Sequence, residues 1–199
     1  MQIALGLLHA LRAASALAAL LLLGAQQAGA REAAWCERLS AAPSPVAAQI
    51  QAQASKVIDD APHAVPTLKT EGLLPGQGLW DESQRAKQDF PKLRALAYGW
   101  RLQGQRPMLE SARAFVAAWA RTYRPSLNPI DETDLKQVFE AYALIRDDLE
   151  AAERDAADAW IRRFYDGYLG GMSRRRAAGN PDRKNWQSHR LKIATAAAA

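Results

Sequence analysis

Near the C-terminus the chain reads Asn185-Trp186-Gln187-Ser188-His189-Arg190. If this stretch is helical, Asn185 and His189 stand four apart and share a face. Trp186, Arg190 and Ile193 occupy the adjoining face. An amide donor, an imidazole and a guanidinium then project from about two turns. Histidine titrates near neutrality and serves as general base or acid. An asparagine amide can donate to a carboxylate or an oxyanion. A single histidine on a helix is also commonly just a hydrogen-bonded surface side chain, so the stretch alone does not define an activity.

Other chemistries have weaker support. The sequence has no Gly-rich phosphate loop, no Gly-x-Ser-x-Gly elbow and no His/Cys spacing of a metal site. No cofactor and no metal are expected. His63 stands alone as a ligand. Asp131, Glu132 and Asp134 could form a glycosidase-like carboxylate pair. They also fall at a predicted helix N-terminus, where acids are favoured by the helix dipole.

Helices with 3.6-residue periodicity must carry these groups. A polar helix is expected over Val46–Asp60, after an Ala/Pro/Ser linker from Ala41 to Pro45. Four stronger ones follow. Glu82–Leu102 has Phe90, Leu93, Ala97 and Trp100 on one face, with Pro91 forcing a kink or split. Met108–Tyr123 would bury Phe115, Val116, Trp119 and Tyr123. Glu132–Leu149 carries Leu135, Val138, Phe139, Tyr142 and Ile145, with Asp131 as its N-cap. Ala151–Leu169 points Ala156, Trp160 and Phe164 inward and ends at Gly170-Gly171. Asn180-Pro181-Asp182 would start a fifth helix bearing the His189 stretch. Ala61–Trp80 has three prolines and three glycines and no helical period, as a functional lid loop would. No stretch alternates as a strand does. Short connections imply antiparallel helical hairpins.

Residues 1–30 look like a cleavable signal peptide, leaving 31–199 as one helical domain. The apolar run Ala13–Ala25 is about 13 residues, short of the ~20 that span a bilayer, so no stable membrane anchor is expected. Ala28-Gly29-Ala30 supplies small residues for cleavage. The product would be periplasmic or secreted. Cys36 is the only cysteine, so stability must come from packing. Cleavage removes Arg12 and no acid, so a net charge of +5 becomes +4. Arg174, Arg175, Arg176, Arg183, Lys184, Arg190 and Lys192 face a single Asp182 between Ser173 and Ile193. Such a basic region suits a polyanion.

Three segments together resemble a known family. Asn128-Pro129-Ile130-Asp131-Glu132-Thr133, preceded by Trp119-Ala120-Arg121-Thr122-Tyr123, is similar to the Asn-Pro-Ile-[Asp/Asn]-Glu-Thr segment of alginate-lyase-type polysaccharide lyases. Thr67-Leu68-Lys69-Thr70-Glu71-Gly72 resembles the segment ahead of it, and Asn185-Trp186-Gln187-Ser188-His189 their later Asn-Trp-x-Ser-His motif. The resemblance covers Pro66 to Ile193. It implies an all-α (α/α) toroid and β-elimination on an acidic uronate polysaccharide such as alginate, without a metal. It assigns His189 to the C5 proton, and Asn185 and Arg190 to the uronate carboxylate. Trp186, Lys192, Lys69 and Glu71 would contact the substrate, the last two from the lid loop. Nucleic acid is not an expected partner, and the oligomeric state is left open.

Two departures from the family pattern bear on these expectations. In the best-known members the Asn and His are adjacent, whereas Asn185 and His189 are four apart. Those members also continue well past this motif, so a truncated, incomplete toroid with exposed apolar helix faces and poor solubility is expected. Two further readings stay open: a non-catalytic binder of acidic glycans, and a helical glycoside hydrolase using the Asp131 cluster.

Overall fold

A computed structural model describes residues 44–180 and 185–198 of the chain. The proposed signal peptide, Cys36, most of the Ala/Pro/Ser linker and the expected helix start at Pro181 and Asp182 lie outside the described residues, as do Arg183 and Lys184. Eight α-helices and two short 3₁₀ turns make up the described regular structure, and no strand occurs in it. The fold is all-α, as the sequence predicts. None of the described helices is long and apolar enough to cross a membrane.

Helix α1 is Pro45–Lys56, α2 Trp80–Lys87, α3 Asp89–Gln103 and α4 Arg106–Thr122. A short α5, Pro129–Glu132, runs through a 3₁₀ turn, Thr133–Leu135, into α6, Lys136–Ile145. Helix α7 is Ala151–Ala177 and α8 Asn185–Ala198. The expected break at Pro91 is a split at Gln88, which puts Pro91 in the first turn of α3. There its missing N–H has no helical acceptor to lose.

Two boundaries differ from the sequence reading. Helix α7 passes through Gly170-Gly171 and runs to Ala177. Glycine costs about 1 kcal/mol in a helix but does not end one. The end comes where Gly179 adopts φ 68°. Its N–H donates to the Arg176 carbonyl, and that of Asn180 to the Arg175 carbonyl. This is the double bond pattern of a Schellman cap. The second difference is the N-cap of α5. It is Asn128, not Asp131: its side chain accepts from the N–H groups of Ile130 at 3.0 Å and Asp131 at 3.4 Å. Asp131 is thereby released for another task.

Helix α3 is central, packing against α1, α4 and α6, while α7 packs against α4 and α8. Only Gly104 and Gln105 link α3 to α4, so these two form a tight hairpin. A chain of rings runs through the interior. Phe90 meets Trp119 edge-on with centroids 4.8 Å apart, Trp119 meets Tyr123, and Tyr123 stacks on Phe164 at 6.0 Å. Phe164 in turn contacts Phe139 and Trp160. The predicted stripes therefore face the core, with one correction: Ala157, not Ala156, is the buried alanine of α7. The indole N–H of Trp119 donates to the buried Asp89 carboxylate at 2.9 Å, which also accepts from the His63 N–H. Burial pushes the Asp89 carboxyl above the usual range.

Gly99 marks the closest approach of α1 to α3. A Cβ there would stand 2.7 Å from the Ala54 Cβ and 2.8 Å from the Met108 Sδ. An alanine normally improves a helix interior by about 1 kcal/mol over glycine. Here overpacking dominates, so Gly99→Ala is expected to lower unfolding free energy by about 1–2 kcal/mol, measured by urea denaturation.

Candidate functional site

Three consecutive residues, Asp131, Glu132 and Thr133, each hold a different part of the chain. Asp131 and Glu132 are 1% and 0% exposed. A carboxylate so placed needs hydrogen-bond donors to remain tolerable.

Asp131 takes its donors from the long loop. Its Oδ1 accepts from the Thr70 N–H at 2.6 Å, the Thr70 hydroxyl at 3.0 Å and the Glu71 N–H at 2.7 Å. The loop is tied elsewhere too. The Lys69 N–H donates to Ser83 Oγ at 2.8 Å, and the Pro66 carbonyl accepts from the Arg124 N–H. Val65 and Leu68 sit in the core. The expectation of a lid spanning Ala61–Trp80 is corrected accordingly. The stretch up to Glu71 is a strap fastened to the body, and only the tip, from Gly72 to Leu79, is largely exposed.

Glu132 takes its donors from three places. Oε1 accepts from the Tyr123 hydroxyl at 2.8 Å, the Ser126 N–H at 2.6 Å, the Ser126 hydroxyl at 3.0 Å and the Leu127 N–H at 3.3 Å. Oε2 accepts from the Tyr168 hydroxyl of α7. These bonds hold Leu127 at φ 59°, an unusual conformation for a branched side chain. Leu127 lies against Gly167 of α7, where a Cβ would come within 2.6 Å of it. Burial first, then the Glu132 carboxylate, pushes both phenols well above the usual tyrosine range. Asp131 and Glu132 are thus consumed as structural acceptors, which removes the ground for reading them as a glycosidase pair.

Thr133 reaches α8. Its hydroxyl lies 2.8 Å from His189 Nδ1, and His189 is partly exposed. Among the described residues no protein group engages the other ring nitrogen, Nε2. The Thr133 contact was not anticipated from sequence, although Thr133 closes the Asn-Pro-Ile-Asp-Glu-Thr segment that was singled out.

The remaining sequence-predicted site residues divide. Asn185 is exposed one turn before His189, and Lys192 is exposed three residues after it. Lys192 lines a hollow of about 660 Å³ between α6 and α8, with Lys136, Glu140 and Ser188. Lys69 and Glu71 are half-exposed and pair with each other at 3.6 Å. They reach the same short segment as His189 through Asp131. Arg190 is not on this open side: it is 5% exposed. Its guanidinium lies over the Trp186 ring, 5.4 Å from the centroid. Consecutive helical residues point about 100° apart, so an outward His189 sends Arg190 inward. Burial and the nearby Arg175 weaken its hold on its proton. Tyr123, Tyr142 and Tyr168 are buried and donate to carboxylates, which places them poorly as acids. Tyr142 donates to Asp158 at 2.5 Å, while Tyr165 lines a separate hollow of about 450 Å³ with Arg146 and Arg162. Of the basic region, Arg174, Arg175 and Arg176 are exposed.

A scan against protein-family models matches the family described as Alginate lyase over residues 36–199. Searches of curated proteins and of solved structures return no match.

The Glu132 network has two measurable consequences. Glu132→Ala leaves two phenols, the Ser126 hydroxyl and two N–H groups without their acceptor. At about 1–3 kcal/mol for each buried unsatisfied group, it is expected to cost at least about 3 kcal/mol in urea unfolding. The phenols also set a pH dependence. Their folded pKa values lie above the unfolded value near 10. Above pH 10 the unfolded chain loses phenolic protons that the folded chain keeps, so stability falls as pH rises. Tyr168→Phe is expected to flatten that fall.

Proposed function

The chain belongs to the alginate lyase family, and on that premise we propose that it cleaves an acidic uronate polysaccharide, such as alginate, by β-elimination at His189. The observation that carries this reading is the His189 geometry. Nδ1 is held by Thr133, and Nε2 is left for a substrate on the open side of α8. A base needs a lone pair within hydrogen-bond reach of the proton it removes, and a fixed ring supplies that more reliably than a mobile one.

In this reading His189 Nε2 takes the C5 proton of a uronate residue. The C5–H electron pair forms the C4–C5 double bond. The C4–O4 bond breaks with its electron pair staying on O4, which takes a proton from water, and His189 then returns the C5 proton to solvent. Removing a proton next to a carboxylate requires that the growing negative charge be stabilised. Asn185 is the group for this, being exposed one turn away on the same face. Lys192, three residues after His189, and Lys69, next to the Thr70 that Asp131 holds, are exposed cations and suit the neighbouring carboxylates of the polymer. Trp186 is partly exposed and offers an apolar ring face to a sugar, with Arg190 packed behind it. Arg190 then supports the site rather than pairing with the substrate. Glu71 anchors Lys69. Residues 1–30 act as a cleavable export signal, and the protein works outside the cytoplasm.

The reaction is tested by mixing the protein with alginate and following ultraviolet absorbance. Elimination creates an unsaturated uronate that absorbs, so a rising signal is expected. His189→Ala is expected to lower kcat by about 100- to 10,000-fold, the range for a general base. New reducing ends without absorbance would instead mark a hydrolase. Binding with neither signal would mark a glycan-binding protein.

A further inference from the structure

We propose that Thr133 is a positioning residue for the reaction: its hydroxyl oxygen accepts the Nδ1 proton of His189 and so keeps the lone pair on Nε2, facing the substrate. The inference rests on the proposed role of His189 and adds a determinant that the sequence motifs did not reveal.

Neutral imidazole carries one proton on either nitrogen, and its partner at one nitrogen sets the state of the other. Thr133 Oγ1 is the only protein partner of the His189 ring among the described residues, at 2.8 Å. If His189 is to remove a proton through Nε2, Nδ1 must carry the hydrogen. The contact is then an N–H donating to a hydroxyl oxygen. A hydroxyl accepts such a bond without adding charge. A carboxylate there would place a negative charge beside the carboxylate of the substrate.

The surroundings explain why Thr133 can do this better than a surface threonine could. It follows directly on Asp131 and Glu132, whose side chains are fastened to the strap, to Tyr123 and to Tyr168. It lies in the 3₁₀ turn that joins α5 to α6. Its own backbone is therefore held from both sides. The threonine is also β-branched, with few allowed side-chain rotamers. A group fixed in this way transfers its position to the ring it holds, and small misplacements of a base are expensive in rate.

Three variants and one spectroscopic measurement test the proposal. Thr133→Val keeps the branched shape and removes the oxygen. It is expected to lower kcat on alginate about 10- to 100-fold with KM little changed. Thr133→Ser restores the oxygen and is expected to recover most of the lost rate. Nitrogen-15 spectra of the His189 ring, assigned by comparison with His189→Ala, are expected to show the Nδ1–H tautomer in the parent protein. In Thr133→Val the Nε2–H tautomer is expected to gain population. The spectra need no turnover, so they decide the tautomer even if the protein is not a lyase. An Nε2–H tautomer in the parent protein would overturn the proposal. So would parent-like kcat in Thr133→Val while His189→Ala is inactive, which would leave the lyase reading standing. Loss of rate in both Thr133→Val and Thr133→Ser, with unchanged ring spectra and lower stability, would reduce Thr133 to a structural residue and also overturn it.

Discussion

The fold is organised around a carboxylate that has no access to water. Glu132 is fully buried, and an ion in that position is tolerable only if hydrogen-bond donors replace its lost water. Five hydrogen bonds supply them, from Tyr123 at the end of α4, from Ser126 and Leu127 in the following turn, and from Tyr168 on α7. The requirement fixes the entry angle of α5, because Glu132 is its last residue. It also fixes what stands on either side. Asp131 faces the strap and Thr133 faces α8. Residues some 60 positions before this tripeptide and some 55 after it are thereby drawn to one short segment. Nothing in helix packing alone would place Lys69 and His189 around the same element.

The division of labour follows from chemistry as much as from position. Asp131 and Glu132 look like catalytic acids by composition, yet both are buried, Glu132 completely, and engaged by three and five internal hydrogen bonds. Their value is structural: they immobilise the backbone that presents Thr133. The exposed polar side chains of α8 next to His189 are Asn185, Ser188 and Lys192, neutral or cationic. A site that must receive a polyanion and stabilise further negative charge needs that balance. Arg190, with the strongest cation in the motif, is spent inside the molecule against Trp186, where it stiffens the helix from its inner face.

How much of this was legible in sequence differs by level. The helices and their buried stripes follow from 3.6-residue periodicity, and Phe90, Trp119, Phe139 and Trp160 fall inside as the pattern requires. Helix ends were less visible. Gly170-Gly171 looks like a stop, but glycine ends a helix only where the chain turns left-handed, and that happens at Gly179. The strap was mistaken for a free lid because prolines and glycines mark irregular backbone without saying whether it is tethered. Its tether, Asp131, lies 60 residues away in sequence. Asn185 and His189 could be paired by helical spacing, whereas the Thr133–His189 contact spans 56 residues and leaves no local signal. Resemblance to the alginate lyases located Asn-Pro-Ile-Asp-Glu-Thr without saying which of its residues would fold the chain and which would face the ligand.

On the proposed reading, the tripeptide assembles a uronate site whose reacting nitrogen is His189 Nε2. The most direct measurement is a crystal structure of Asn185→Ala, slowed in turnover, with a bound oligouronate. A uronate C5 is expected about 3–3.5 Å from Nε2, the separation of a near-attack geometry, with Thr133 still on Nδ1. A sugar chain seated elsewhere, such as the hollow beside Tyr165, with His189 facing only solvent, would contradict it.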